Sequence, residues 1–514
     1  MTESMNKVLI IDFGSQYTQL IARKVRELKV YCEIWPCTEP FDKIKEFSSE
    51  AIILSGGPAS VLQKDAPTID KRLFDLGVPI LGICYGMQLI TKLMGGKIVS
   101  AKEREYGHAK LKIKKKHVLL QGVKKDSQVW MSHGDSLSVI GSRFSVLGET
   151  EKKVKAVIAN DKKRIYALQF HPEVHHTKEG KRILKNFLFK IAKVKAHWNM
   201  HDFIDYQCEL IRNKVGKDHV ILGLSGGVDS SVAAVLLDKA IGKQLTCIFI
   251  NNGVLRYKEE KTVQEIFRKN YKLKLKYVDA SEEFLKALKG VSDPEKKRKI
   301  IGRTFIKVFT REAKQIKKAK YLAQGTLYPD VIESVSFKGP SVVIKSHHNV
   351  GGLPKKMGLK LIEPLRELFK DEVRELGRQM GMSEDMIMRH PFPGPGLGVR
   401  ILGSITQEKV NLLQLADKIA IEEIIKAGWY GKIWQAFVVL LPVKSVGVMG
   451  DERTYENVAA IRCVDSVDGM TADFIDLPHA LLSKISSRII NEVKGINRVV
   501  YDVSSKPPAT IEWE

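Results

Sequence analysis

Short apolar runs that stop abruptly at glycine or another turn-forming residue recur through the first two-thirds of the chain. They read VLIIDFG (8–14), AIILSGG (51–57), VPILGICYG (78–86) and IYALQF (165–170), then VILGLSGG (220–227), LTCIFINNG (245–253), LKYVDA (275–280) and YLAQGT (321–326). Runs this short and this apolar suit strands covered on both faces, and helix-like stretches separate them. Strands that cross over through helices make parallel sheets. The fold class expected is therefore α/β, with two doubly wound parallel-sheet domains. Ligands of such sheets sit beyond the carboxyl ends of the strands.

The pattern breaks at RHPFPGPGLGVRILG (389–403), where proline and glycine cluster. Beyond it, the helix-like QEKVNLLQLADKIAIEEIIKAG and the β-rich FVVLLPVKSVGVMG and NRVVYDVSS predict a smaller α+β domain. Domains are expected at 1–195, 196–390 and 391–514, in keeping with 514 residues at roughly 150 per domain.

A usage of 44% hydrophobic and 28% charged residues is that of a globular chain. No window reaches the ~18 apolar residues of a membrane span. The opening MTESMNKVLIIDFG lacks a signal-peptide layout, because its apolar stretch ends at once in Asp12. The six cysteines form no C-x-x-C pair, so neither a zinc site nor a disulfide framework is indicated. A reducing, cytoplasmic setting is expected. The net charge of +25 raises the question of nucleic acid. Lysine patches such as KIKKKH (112–117), EKKRK (295–299) and KQIKKAK (314–320) are scattered, however, and lack interleaved aromatics. They read as solvated surface, and no nucleic-acid or membrane partner is expected.

Cys84 lies between Gly82 and Gly86, the spacing of a nucleophile elbow with sulfur in place of oxygen. A thiol at a helix N-terminus loses its proton readily. Alone, the motif suits a buried structural cysteine equally well. QFHPEVHHT (169–177) then supplies His171 and Glu173, two residues apart on what reads as an extended segment, so that Glu173 orients His171 and His171 serves Cys84. SGGP (55–58) offers the amide of Gly57, and Tyr85 a second amide, for an oxyanion hole. An ordinary strand-to-loop turn explains SGGP as readily. Together these stretches resemble the class I glutamine amidotransferases, whose cysteine releases ammonia from glutamine. The resemblance implies that Gln88 and SHGD (132–135), with His133, Gly134 and Asp135, surround the glutamine.

LSGGVDSS (224–231) looks like a phosphate cradle. Ser225, Gly226, Gly227 and Val228 let backbone amides approach phosphate, while Ser230 and Ser231 open the next helix. The lysine with which a P-loop reaches the terminal phosphates is missing. The stretch instead resembles the pyrophosphate-loop family, in which cleavage falls between the α and β phosphates. Asp229, the loop's one carboxylate, is the candidate ligand for a Mg2+ ion carried with ATP. YLAQGTLYPDVIES (321–334) resembles that family's nucleotide-pocket stretch. IKSHHNVGGLP (344–354) carries Lys345 beside a Gly-Gly hinge and suits a mobile lid. His347 and His348, neighbours that point to opposite faces of a strand, are not expected to share a metal.

With HPFPGPGLGVR and the ending KPPATIEWE added, all three blocks resemble the family of glutamine-hydrolysing GMP synthetases. That resemblance implies conversion of ATP, XMP, L-glutamine and water to AMP, diphosphate, GMP and L-glutamate, through adenylated XMP. It also places XMP on Pro393, Gly394, Pro395, Gly396, Arg400, Lys506, Thr510, Ile511 and Glu512, and implies a homodimer formed through the third domain. A proline-stiffened linker and a frayed terminus are the plain readings of those two stretches. The rival functions are a tRNA-modifying enzyme of the same loop family and a catalytically silent nucleotide- or RNA-binding module. Cys208 and Cys247 sit in apolar contexts unsuited to thiolation, and an intact triad and loop speak against silence.

Overall fold

The computed structural model describes residues 7–15, 17–141, 143–330, 358–449, 452–466 and 471–514. The chain gathers into two compact units, one built on residues up to Phe203 and one on Ile204–Tyr328 with the described chain from residue 358 onward.

The first unit is built on a nine-stranded sheet. Its strands are β1 (Lys7–Asp12), β2 (Tyr31–Pro36), β3 (Ala51–Leu54), β4 (Ile80–Ile83), β5 (Lys97–Ile113), β6 (Ser127–Val139), β7 (Ser145–Thr150), β8 (Lys155–Asn160) and β9 (Ile165–Leu168), in the order β2-β1-β3-β4-β9-β8-β7-β5-β6. From β2 to β9 the pairings are parallel, as the apolar runs predict. From β9 to β6 they are antiparallel, an extension the sequence reading did not contain. Within it β6 alternates buried and half-buried residues along most of its length, whereas β8, like β1, β3 and β4, is buried almost throughout.

The second unit holds a five-stranded parallel sheet of β10 (His219–Gly223), β11 (Leu245–Asn251), β12 (Leu275–Asp279), β13 (Ala319–Ala323) and β14 (Lys360–Ile362), ordered β12-β11-β10-β13-β14. The chain moves outward from β10 first to one side and then to the other. The crevice beyond the carboxyl end of β10 is therefore a topological switch point. LSGGVDSS begins there.

A second sheet follows, made of β15 (Gln435–Met449), β16 (Glu452–Asp465), β17 (Asp473–Phe474) and β18 (Ile496–Tyr501). The helices Gln407–Lys426 and His479–Glu492 flank it. One cluster of buried side chains runs from Ile221, Ile248 and Leu322 of the parallel sheet to Leu413, Ala436, Val438, Ile461 and Ile485. The two sheets of this unit share one apolar interior.

Candidate active sites

Strand β4 delivers Cys84 with φ 52° and ψ −103°, a conformation that costs a residue with a side chain about 1–3 kcal/mol. Neighbouring backbone enforces it. The Cys84 amide donates to Leu168 O at 2.7 Å, and the Gly86 amide to Ser55 O at 3.0 Å. A Cβ on Gly86 would stand 2.5 Å from Leu54 O, and one on Gly82 would stand 2.8 Å from the Gly86 carbonyl carbon. Both flanking glycines are thus required by close packing.

His171 and Glu173 lie in the turn just past β9, not on an extended segment, yet they still pair. His171 Nδ1 is 2.7 Å from Glu173 Oε1, and both side chains are buried. Burial disfavours the imidazolium, but the Glu173 carboxylate and the interaction with Cys84 outweigh it and hold the imidazole pKa well above its ordinary value. An imidazole held by a carboxylate beside a thiol is placed to exchange a proton with a group bound there.

The SGGP loop touches both partners. A Cβ on Gly57 would lie 3.2 Å from Tyr85 Cγ, and one on Gly56 would lie 3.0 Å from His171 Cε1. Strand β6 closes another side. The Cys84 thiol meets Ser132 O at 3.5 Å, Gln88 Nε2 donates to Asp135 O at 3.3 Å, and His133 Nδ1 bonds to the same carbonyl at 2.9 Å. Burial lowers the His133 pKa in spite of that bond. Gly134 sits between these two residues, near the Tyr106 hydroxyl. Tyr85, Gln88, His133, Asp135, His171 and Glu173 are therefore linked to Cys84 directly or through one another. Two more join them unannounced: Ser60, whose hydroxyl donates to the Asp135 carboxylate, and fully buried Gln169, whose Nε2 lies 3.9 Å from Cys84 Sγ. Gln169 stands two residues before His171, the only signal that was available.

In the second unit Gly226 takes φ 78°, and the helix Val228–Ile241 starts one residue beyond Gly227. The Ser230 and Ser231 hydroxyls turn back onto Gly227 O at 3.1 and 2.7 Å, and Ser225 Oγ lies 2.9 Å from Ser230 Oγ. They knit the loop together, and two of its amides bond within it as well, Ser225 N to Ser230 Oγ at 3.2 Å and Gly227 N to Ser225 Oγ at 3.3 Å. Gly325 of YLAQGT packs against the helix start, its Cβ position 3.2 Å from the Asp229 carbonyl carbon. A lysine from elsewhere reaches the loop: Lys370 Nζ donates to both Asp229 oxygens, at 2.6 and 2.7 Å. Arg389 bonds to Gly226 O at 2.8 Å and to Glu259 at 2.9 Å. Lys370, Arg389 and Glu259 carry no local motif, so sequence reading passed over them. Lys345, His347 and His348 lie outside the described residues.

At PGPG, Gly396 has φ 62° and is pressed against Val254, whose carbonyl would stand 2.3 Å from a Cβ. The Gly396 amide closes the turn on Pro393 O at 2.9 Å, across Gly394 and Pro395. This places the turn at the carboxyl end of β11. The Arg400 side chain is completely buried, forked onto Glu512 at 3.1 and 2.9 Å and stacked on Phe437, so it anchors the tail. Gln435 bonds to the same carboxylate at 2.8 Å. Arg462 holds the carbonyls of Ser504, Thr510 and Ile511, while the Lys506 amide bonds to Ala472 O at 2.7 Å. The tail is thus tied down rather than frayed. A cavity of about 510 Å³ lies along it, lined by Tyr501, Ser504, Thr510, Glu512 and Trp513 among others. Among the described residues no group of three or more His, Cys, Asp or Glu side chains is arranged for a metal, and no helix is long and apolar enough to cross a membrane.

These arrangements place the chain in a class, that of a class I glutamine amidotransferase joined to a pyrophosphate-loop ATP unit, and comparison with known proteins agrees. Residues 9–191 match the family "Glutamine amidotransferase class-I", 203–320 match "NAD synthase", and 422–513 match "GMP synthase C terminal domain". The glutamine-hydrolysing GMP synthase of Brachyspira hyodysenteriae is 61% identical, and that of Nitratidesulfovibrio vulgaris strain DP4 59%, each over 100% of both chains. The chain belongs to the family of glutamine-hydrolysing GMP synthases.

Proposed function

We propose that the first unit hydrolyses glutamine and the second uses the ammonia to aminate XMP, giving AMP, diphosphate, GMP and L-glutamate from ATP, XMP, L-glutamine and water. Cys84 attacks the amide carbon, and the amides of Gly57 and Tyr85 receive the oxyanion. His171, steadied by Glu173, protonates the leaving ammonia and then takes a proton from water. Gln88, His133, Gly134 and Asp135 surround the substrate. The observation that carries this reading is the buried His171–Glu173 pair beside a strained cysteine.

In the second unit, Ser225, Gly226, Gly227, Val228, Asp229, Ser230 and Ser231 cradle the β and γ phosphates, and Lys370 supplies the cation. The xanthine oxygen attacks the α phosphorus, diphosphate leaves as one piece, and ammonia displaces AMP from the adenylated intermediate. Pro393, Gly394, Pro395, Gly396, Lys506, Thr510, Ile511 and Glu512 hold XMP, with Arg400 acting through Glu512. Asp229 is the residue that would hold a Mg2+ ion arriving with ATP, in exchange for its present bonds to Lys370, and the ion would neutralise phosphate charge.

A homodimer is the assembly proposed. The arm formed by β15 and β16 exposes Val443, Val446, Val448 and Tyr455, each more than half exposed, and a second copy would cover them. Six cysteines in no disulfide suit the cytoplasm proposed for the protein.

Purified protein given magnesium, ATP, XMP and glutamine is expected to form GMP and AMP in equal amounts. ADP in place of AMP would refute the assignment of the loop.

A further inference from the structure

Glutamine chemistry needs the His171 ring at a fixed place, and Glu173 orients only the ring. The backbone is held by something else. The His171 amide donates to Trp130 O at 3.1 Å, the Trp130 amide donates to Thr177 Oγ1 at 3.0 Å, and the Thr177 hydroxyl donates to His171 O at 2.6 Å. These three bonds close a ring, and its one side-chain atom is Thr177 Oγ1, which accepts from one neighbour and donates to the other. Only a hydroxyl on a small side chain does both, and valine of the same shape does neither. Thr177 is 5% exposed, so water is poorly placed to substitute for it.

The opposite side of the turn is equally constrained. The Gly180 amide bonds to Thr177 O at 3.1 Å, and a Cβ on Gly180 would fall 1.9 Å from Pro172 O. Strand β6 makes the clamp relevant to the nucleophile. Trp130 grips His171, and Ser132, two residues along, meets the Cys84 thiol through its carbonyl. The separation of base and thiol is referred to one stretch of backbone.

We propose that Thr177 is a positioning residue for His171, setting its register on β6 and hence its approach to Cys84. The proposal rests on the glutamine-hydrolysing reading above. Displacing a reacting group by about 1 Å slows a reaction on the order of 100-fold. The loss should fall on turnover rather than on glutamine binding.

The test uses the full chain as wild type, Thr177→Val and Thr177→Ser, with GMP formation measured from glutamine and from ammonium salt. Thr177→Val is expected to lower the glutamine kcat by roughly 10- to 100-fold, with the glutamine KM nearly unchanged and turnover on ammonium kept. Thr177→Ser, which retains the hydroxyl, should recover most of the rate. A valine variant with wild-type kcat, a loss confined to KM, or a serine variant as slow as valine would each overturn the proposal. So would an equal fall with ammonium, which would mark a general loss of fold. Wild-type turnover with glutamine tests the underlying reading separately: its absence would overturn the Cys84 assignment and the Thr177 role with it, whereas a fault in the Thr177 role alone leaves wild-type turnover intact.

Discussion

Lys370 and Asp229, 141 positions apart in sequence, form a two-pronged ion pair at 2.6 and 2.7 Å at the mouth of the phosphate loop. Both side chains are partly exposed, 42% and 32%, so the pair itself adds little to stability. Its value is in placing an ammonium where the loop has none. A charge-assisted hydrogen bond to phosphate is worth about 1.5–3 kcal/mol. Lys370→Met should therefore raise the ATP KM or lower kcat by roughly 10- to 100-fold with glutamine and with ammonium alike. Steady-state assays with both nitrogen sources decide it, and unchanged turnover would remove Lys370 from the site.

Backbone strain at Cys84 sets stability against function. Alanine there keeps the strain of φ 52°, ψ −103°, while glycine releases about 1–3 kcal/mol of it. Glycine gives back only about 0.4–1 kcal/mol through its freer unfolded chain. Cys84→Gly should accordingly melt above Cys84→Ala, by a net gain on the order of 1 kcal/mol. Both should lose glutamine use and keep ammonium-driven synthesis. Calorimetry on the pair tests the first claim, and equal melting would show that the elbow is unstrained.

The raised pKa of His171 has a consequence for stability against pH. The folded state binds the proton more tightly than the unfolded chain, so this contribution is complete below the ordinary histidine value of about 6.5. It is lost as pH rises from there through the raised folded value. Glu173→Gln removes the carboxylate that raises the pKa. Denaturant titrations of the two proteins should show a shallower decline in that window for the variant, and parallel curves would exclude the ion pair as the cause.

The β15–β16 arm bears Val446 at 57% and Val448 at 73% exposure. Replacing both by lysine should leave the monomer fold intact and shift sedimentation toward a single chain. A wild-type chain that already sediments as a monomer would refute the proposed assembly.

Much of this was legible because it is local. In ICYG and SGGVDSS the strand end, the glycines and the helix start are consecutive residues, and the chemistry follows from the turn they make. The His171–Glu173 pair was equally readable, although its segment proved to be a turn. Lys370, Arg389 and Glu259 were not, since each reaches the loop only through the order of the parallel strands. Arg400 shows the converse difficulty. Beside a proline-glycine turn it reads as a contact to XMP alone, and only the fold reveals its two-pronged bond to Glu512, 112 positions later. In the antiparallel half of the first sheet, β6 escaped notice because a half-buried strand lacks the uniform apolar run that announced the others.

The apolar interior common to both sheets of the second unit ties the fate of distant segments together. A fragment ending near residue 390 would carry Ile221, Ile248 and Leu322 as an open greasy wall, with their partners from Leu413 to Ile485 gone. The ATP-gripping half is therefore not a detachable module. Damage far down the chain should loosen its hold on nucleotide without touching a single residue that contacts it.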